Sequence, residues 1–453
     1  METRDTRDII GQLEAAIEAG RIDDAIAVLS AMRLPDRAEA FAVLDDEDQA
    51  TLIPQMELSE AADLLEEMDD EDAVTVASTL SSEMLADVLD EMDPDEAADI
   101  LGDLSAQQAS DALAAMEEAD EVIPLLRHGD ETAGGLMTTA FVGLRPRTTV
   151  AQAIEFLRST DVEELGTYYL YVVDRDQHLV GVVGLRDLVR AQPSTLIGAI
   201  TNRDVIRVEA GVDQEEAARL MARYDLAALP VVNEEGVLQG VITHDDIIDV
   251  IEEETTEDVL HLAGIESGPI GDKPYWSQRL IEVVRSRFTW LLVLFAAQTL
   301  TGTVLQHFES ELQAVVELTF FIPLLIGTGG NAGAQTVTTV IRALALKEVE
   351  RRDILRVLRR EMVSGAFLGL LLAAVAFGRV ALWGVGLELA AVVSITVFAV
   401  CLWANTVGSL IPMLADAAGI DPTVMSAPLI STLVDATGLL IYLSVAVMVL
   451  EQI

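Results

Sequence analysis

Residues 421–450 read DPTVMSAPLISTLVDATGLLIYLSVAVMVL, and past the first residue they hold one side chain that is charged when free in neutral water, Asp435. A helix needs about 20 apolar residues to cross a hydrocarbon core of roughly 30 Å, so this stretch predicts a membrane span. A carboxylate in mid-span is costly unless it is hydrated or paired. Asp435 therefore faces water or a cation, or it is a protonated acid hydrogen-bonded between helices. Ser426, Ser431, Thr432 and Thr437 add hydroxyls to the same run.

Working upstream, the apolar stretches 288–306, 314–337, 362–383 and 389–412 join 423–450 in an expected bundle of five membrane helices. Orientation follows from arginine. Arg342, Lys347, Arg351, Arg352, Arg356, Arg359 and Arg360 lie between the second and third stretches, and Arg279, Arg285 and Arg287 precede the first. The positive-inside rule places both groups in the cytosol. With five spans, the N-terminal domains lie in the cytosol of a cell-membrane protein and Ile453 lies outside. The start, METRDTRDII, lacks the apolar core of a signal peptide. No basic residue in the spans is expected to pair with Asp435. Glu317 falls near the outer end of the second span, at the outer mouth or at a simple interfacial position.

The second span closes on IGTGGNAGAQT (326–336), which formally contains a dinucleotide-binding glycine pattern. A membrane helix precedes it and no crossover unit follows, so that reading fails. Gly329 and Gly333 give a small-residue face for close helix approach. Asn331 and Gln335 are amides that belong against a pore or another helix rather than lipid.

Residues 1–287 carry 64 acidic against 20 basic side chains, almost the whole of the net charge of −48. That surface excludes nucleic acid, which requires clustered Lys and Arg. Cations are the better partner. The chain also has 26 Arg but only two lysines, Lys273 and Lys347, the composition expected of adaptation to a high-salt cytoplasm. At the short screening length of concentrated salt, acidity by itself marks no site. One cysteine, Cys401, excludes a disulfide framework.

Two repeats organise the soluble half. From Met56 to about residue 127, Met56, Met68, Leu80, Met92, Leu104 and Met116 recur every twelve residues, with Leu65, Leu89, Leu101 and Leu113 at a second phase. Each unit is one short helix and a turn, with helix starts expected at Ser59 and at Asp93-Pro94, and the array is expected to stack as a superhelix. Then Met137–Asp187 and Ile200–Asp246 each read strand, helix, strand, strand. They resemble a tandem CBS pair through LPVV (229–232) and GVITHDD (240–246). The resemblance implies that Thr243 and Asp246 grip the ribose of an adenosine nucleotide such as ATP. Gly184 replaces the hydroxyl in the first copy, so one nucleotide site is expected and not two. A dimerising module without ligand is the alternative.

With these pieces in order, the whole chain resembles the MgtE family of magnesium channels or transporters. GTGGNAGAQ (327–335) and DPTVMSAPLISTLVD (421–435) carry the likeness. The fold implied is multidomain: an all-α superhelix (1–130), an α/β tandem CBS pair (131–251), a connecting plug helix (252–287) and a five-helix transmembrane pore domain (288–453), assembled as a homodimer in the bilayer. It implies that Asp435 binds hydrated Mg²⁺ with help from Ser431 and Asn331. It also implies that cytosolic Mg²⁺ closes the pore through Glu254, Glu257 and Asp258 on the plug, Asp246, Asp213 and Asp225 in the CBS pair, Asp421 before the last span, and Asp90 and Asp93 in the superhelix. Other readings are a broader carrier of Mn²⁺, Co²⁺ or Ni²⁺, whose softer ions favour His, Cys or Met ligands absent near Asp435, and a membrane-anchored nucleotide or ion sensor. No nucleophile and base at motif spacing supports an enzyme.

Overall fold

A computed structural model describes residues 3–159, 169–267, 275 and 278–450; Ile453 lies outside them, as does part of the first CBS copy. The chain divides into two compact units, Met1–Glu254 and Thr255–Ile453.

In the first unit, α-helices begin at residues 22, 34, 46, 58, 70, 82, 94 and 106. The twelve-residue period therefore runs from residue 22, not from 56. Leu29, Phe41 and Ile53 occupy the phase of Leu65 and are fully buried, so an aromatic and a β-branched side chain hid the earlier units from the Met/Leu pattern. The five helices that matter below are α1 (Leu58–Glu66), α2 (Asp70–Ala77), α3 (Ser82–Leu89), α4 (Pro94–Asp103) and α5 (Ala106–Ala115). They alternate between two columns, α1 on α3 on α5 and α2 on α4. A helix pair is thus the stacking unit. The polar joints obey the same count: Glu66 Oε1 accepts from Asp93 N (2.7 Å), and 24 residues later Asp90 accepts from Glu117 N (2.9 Å) and Glu118 N (3.1 Å).

Ser81 and Ser105 cap α3 and α5, each hydroxyl accepting from the backbone N–H three residues on. Ser59 does not cap: Glu57 holds that position and Ser59 lies inside the first turn of α1. Asp93 sits at the cap position before Pro94, as expected, yet its carboxylate makes no capping bond.

The two CBS copies have the expected order. β1 (Gly143–Leu144), α6 (Val150–Ser159), β2 (Tyr169–Val173) and β3 (Leu179–Gly184) form the first; β4 (Val208–Glu209), α7 (Gln214–Tyr224), β5 (Ala228–Val232) and β6 (Leu238–Thr243) form the second. In each three-stranded sheet the short strand runs parallel to the middle one, which pairs antiparallel with the last. Tyr171 and Val173 of one sheet share a core with Ala228, Val232, Leu238 and Val241 of the other.

β6 leads without a break into α8 (His244–Ala263), which stops at Gly264, φ +73°. A left-handed residue is a helix terminator that glycine adopts without cost. The connecting helix is thus 244–263 and does not extend over 252–287 as expected. Arg285 and Arg287 belong to a separate helix, α9 (Leu280–His307).

The second unit adds α10 (Ile322–Ala345), α11 (Ile354–Trp383), α12 (Leu387–Ala418) and α13 (Ala427–Val449). Four of the five, all but α10, are long and apolar enough to cross a membrane. α10 has the length, but Gly, Thr, Asn and Gln dilute it. It also begins eight residues after the expected 314, because residues 316–321 wind as a separate 3₁₀ helix and Pro323 starts the α-helix. α12 is the central helix, packed by α10, α11 and α13, while α9 lies on α13. Arg379, overlooked as an intramembrane cation, lies in α11 with its guanidinium 4.8 Å from the Trp383 ring centroid.

Candidate functional site

On α13 the carboxylate of Asp435 is half-buried, and its Oδ1 is enclosed without a hydrogen-bond partner. Ser431 stands one turn before it. Opposite lies Gly330 of α10, where a Cβ would come within 2.5 Å of Ser431 Oγ and 3.3 Å of Asp435 Oδ1. Only glycine lets the two helices approach so closely here. The neighbouring Gly329 is similarly confined by Val400 and Val434. Asn331, expected beside Asp435, follows Gly330 but is exposed, as is Gln335 one turn on. Two exposed amides on one face of a membrane helix are costly against lipid.

At the start of α13, Asp421 accepts from Thr423 N (2.9 Å) and from the Thr423 hydroxyl. Its Oδ2 lies 3.7 Å from His261 Nδ1, and His261 Nε2 lies 3.5 Å from Glu257 Oε1. His261 of α8 thereby joins two predicted site residues, Glu257 and Asp421. Sequence reading missed it, although its spacing four residues after Glu257 put both on one helix face. Asp258 is half-buried on the same turn.

The soluble unit holds a second concentration of carboxylates. α4 carries Asp95, Glu96 and Asp99, and the field of Asp246 at the start of α8 reaches Asp93, Asp95 and Glu96. Burial, and then neighbouring negative charge, raises Glu96 from 4.5 to about 9, Asp99 from 3.8 to about 8, and Asp93 and Asp95 in the same direction; burial also raises Asp246, against the bonds it accepts from Thr243. Glu66 is likewise raised by burial to about 7, against the bond it accepts from Asp93 N. Asp95 is 8% exposed and its Oδ1 has no partner. Carboxylates held this close repel one another, and in Asp95 one oxygen is sealed without a donor, a charge pattern that a cation would relieve. Of the predicted residues, Asp246 and the more exposed Asp93 border it. Asp95, Glu96 and Asp99 were missed, because in so acidic a sequence nothing separates inward from outward carboxylates.

The other predicted ligands lie apart. Asp90 is committed to the two backbone amides of the superhelix joint. Asp213 caps α7 by accepting from Glu215 N, and the adjacent Gln214 donates to Glu254 Oε1 at 2.9 Å. Asp225 ends α7 in a left-handed conformation and is exposed. Thr243 and Asp246, the predicted nucleotide pair, bond to each other: the Thr243 hydroxyl and N–H donate to Asp246 Oδ2 at 2.6 and 3.1 Å.

Comparison with known proteins places these features. Family models match in three regions: the MgtE intracellular N domain at 10–84 and 32–131, the CBS domain at 133–194 and 197–253, and MgtE, described as a divalent cation transporter, at 322–445. The magnesium transporter MgtE of Thermus thermophilus is 43% identical over 333 residues, covering 74% of this chain and 73% of that protein. The magnesium transporter MgtE of Enterococcus faecalis is 38% identical, covering 73% and 72%. A solved structure of the cytosolic domain of the Mg²⁺ channel MgtE in complex with ATP is 34% identical with a TM-score of 0.50, covering 53% of this chain and 99% of that one. An inosine-5'-monophosphate dehydrogenase of Nitrosopumilus maritimus matches over 131 residues, 25% of its own length.

Proposed function

We propose, from the premise that this chain belongs to the MgtE family of magnesium transporters, that it passes Mg²⁺ across the membrane along a wet path beside Asp435. The observation that carries this reading is the enclosed, unpartnered Asp435 Oδ1 facing Gly330 and Ser431. In mid-span such a group needs water or a cation. Mg²⁺ keeps most of its hydration shell and takes oxygen ligands, so a carboxylate with a nearby hydroxyl suits a hydrated ion. Arg379 lies over the Trp383 ring and, among the described residues, forms no ion pair with Asp435. Entry needs no motor, since a divalent ion moving inward down 100 mV releases about 4.6 kcal/mol.

Asn331 and Gln335 support a homodimeric path: an exposed amide face on α10 is best accommodated against a second copy or along water. Cytosolic N-terminal domains and an external C-terminus follow from the arginines that flank the spans.

Regulation by internal Mg²⁺ belongs to the acidic cluster of α4 and Asp246, and to Glu257 and Asp421 around His261. Each brings together carboxylates that repel until a cation neutralises them, so the ion favours the state in which they are close. An adenosine nucleotide at Thr243 and Asp246 is a second regulator, supported by the ATP complex of the similar cytosolic domain. Since Asp246 also faces the acidic cluster, nucleotide and ion would be sensed together.

The test is Mg²⁺ flux through the purified full-length protein in liposomes. The reading requires flux that depends on the chain and falls as Mg²⁺ is raised on the side bearing the soluble half. Absence of flux with folded protein would refute it.

A further inference from the structure

Behind the ion path, a hydrogen bond between buried side chains joins two helices. Asn405 of α12 is 2% exposed and Thr336 of α10 is 5% exposed. The Thr336 hydroxyl has one proton to give, and it lies 2.8 Å from Asn405 Oδ1 and 3.0 Å from its own Ala332 carbonyl. Asn405 Nδ2 donates to the Cys401 carbonyl at 2.8 Å, which fixes the amide's orientation. The interior is cut to fit. A Cβ on Gly365 of α11 would lie 2.8 Å from Asn405 Cβ, and one on Gly408 of α12 would lie 2.9 Å from the Gly333 carbonyl.

The neighbours of α10 explain why one hydrogen bond matters here. On one side Gly329, Gly330 and Gly333 press against Val434, Ser431 and Ile430 of α13; on the other Gly333 presses against Gly408. Small residues against aliphatic ones allow close approach but fix the sliding and rotation of a helix only weakly, because dispersion is not directional. A hydrogen bond in a dry interior is directional, and breaking it leaves a buried amide unsatisfied. One helical turn separates Gly333 from Thr336, and one separates Gly330 from Gly333. The bond therefore sets the phase in which Gly330 meets Asp435.

We infer that Asn405 and Thr336 form a positioning pair that holds α10 in the register at which Gly330 and Asn331 border the ion path, and so tune how Mg²⁺ is bound and selected there. The inference rests on the Asp435 path proposed above. Neither residue touches the ion.

The test uses full-length protein in liposomes, with Mg²⁺ flux measured against Mg²⁺ concentration and in competition with Ca²⁺, alongside thermal stability. Thr336→Val keeps the shape and removes the donor. It should raise the half-saturating Mg²⁺ concentration and weaken discrimination against Ca²⁺ by about 5- to 10-fold, while Thr336→Ser retains wild-type values. The double variant Thr336→Val/Asn405→Leu removes both polar partners. It should regain stability, as replacing both halves of a buried bond does, yet keep the altered selectivity. Wild-type saturation and selectivity in Thr336→Val, or their recovery together with stability in the double variant, would overturn the inference. If Asp435→Ala conducts like wild type, the proposed path itself fails, and that outcome is separable from the two just named.

Discussion

Replacing Glu96 by glutamine should stabilise the cation-free protein at neutral pH. Burial and the charges of Asp95, Asp99, Asp70 and Asp246 move the Glu96 carboxyl from 4.5 to about 9. Between those values the folded protein holds a proton that the unfolded chain releases, so stability falls as pH rises, by about 1.4 kcal/mol per pH unit. At pH 7 about two and a half units have been crossed, which amounts to roughly 3 kcal/mol against the folded unit. Glutamine keeps the shape and never ionises. For a unit of this size that difference corresponds to about 6–12 °C in melting temperature. Thermal unfolding of the purified full-length protein, without divalent cations and at pH 5, 7 and 9, is the assay. Wild type should lose stability across the series, Glu96→Gln should lose less, and Mg²⁺ should raise wild type more than the variant. A variant that melts with wild type at pH 7, or a wild type that grows more stable towards pH 9, would refute the assignment of these carboxylates as a cation-sensing cluster.

Gly330→Ala places a methyl group 2.5 Å from Ser431 Oγ; Mg²⁺ flux per membrane-inserted protein should drop at least about tenfold, and undiminished flux would show that α10 and α13 need not meet there. Asp90→Ala removes the acceptor of two exposed backbone amides, which water can replace, and should cost no more than about 1 kcal/mol of stability, with the inhibitory concentration of internal Mg²⁺ unchanged; a shifted inhibitory concentration would return Asp90 to the sensor. Neutralising Glu254, Glu257 and Asp258 together should raise the internal Mg²⁺ concentration needed for inhibition in patch recordings, and an unchanged inhibitory concentration would count against a sensing role for the connecting helix.

What could be read in advance was whatever depends on period and polarity. Twelve-residue spacing announced the superhelix, and two strand-helix-strand-strand blocks announced the CBS pair. A lone acid in an apolar run singled out Asp435 as the candidate on which the proposed path rests. Features that depend on facing were hidden. Asp95 and Asp90 are the same residue type five positions apart, yet one is sealed in an acidic cluster and the other bridges backbone amides, a distinction made by the stacking of helix pairs. Ser59 looked like a cap because serine caps helices, but the helix starts one residue earlier. α10 was misplaced because hydropathy does not register Pro323, where the backbone changes from 3₁₀ to α. His261 and the Thr336–Asn405 bond needed contacts between residues 160 and 69 positions apart, beyond any local pattern.

The central claim is that an ion passes beside Asp435. Growth and Mg²⁺ uptake should be compared for wild type and Asp435→Ala in cells stripped of their own magnesium transport, with membrane insertion verified for both. Wild type should rescue growth at low Mg²⁺ while Asp435→Ala does not; an alanine variant that takes up Mg²⁺ at the wild-type rate would contradict the account.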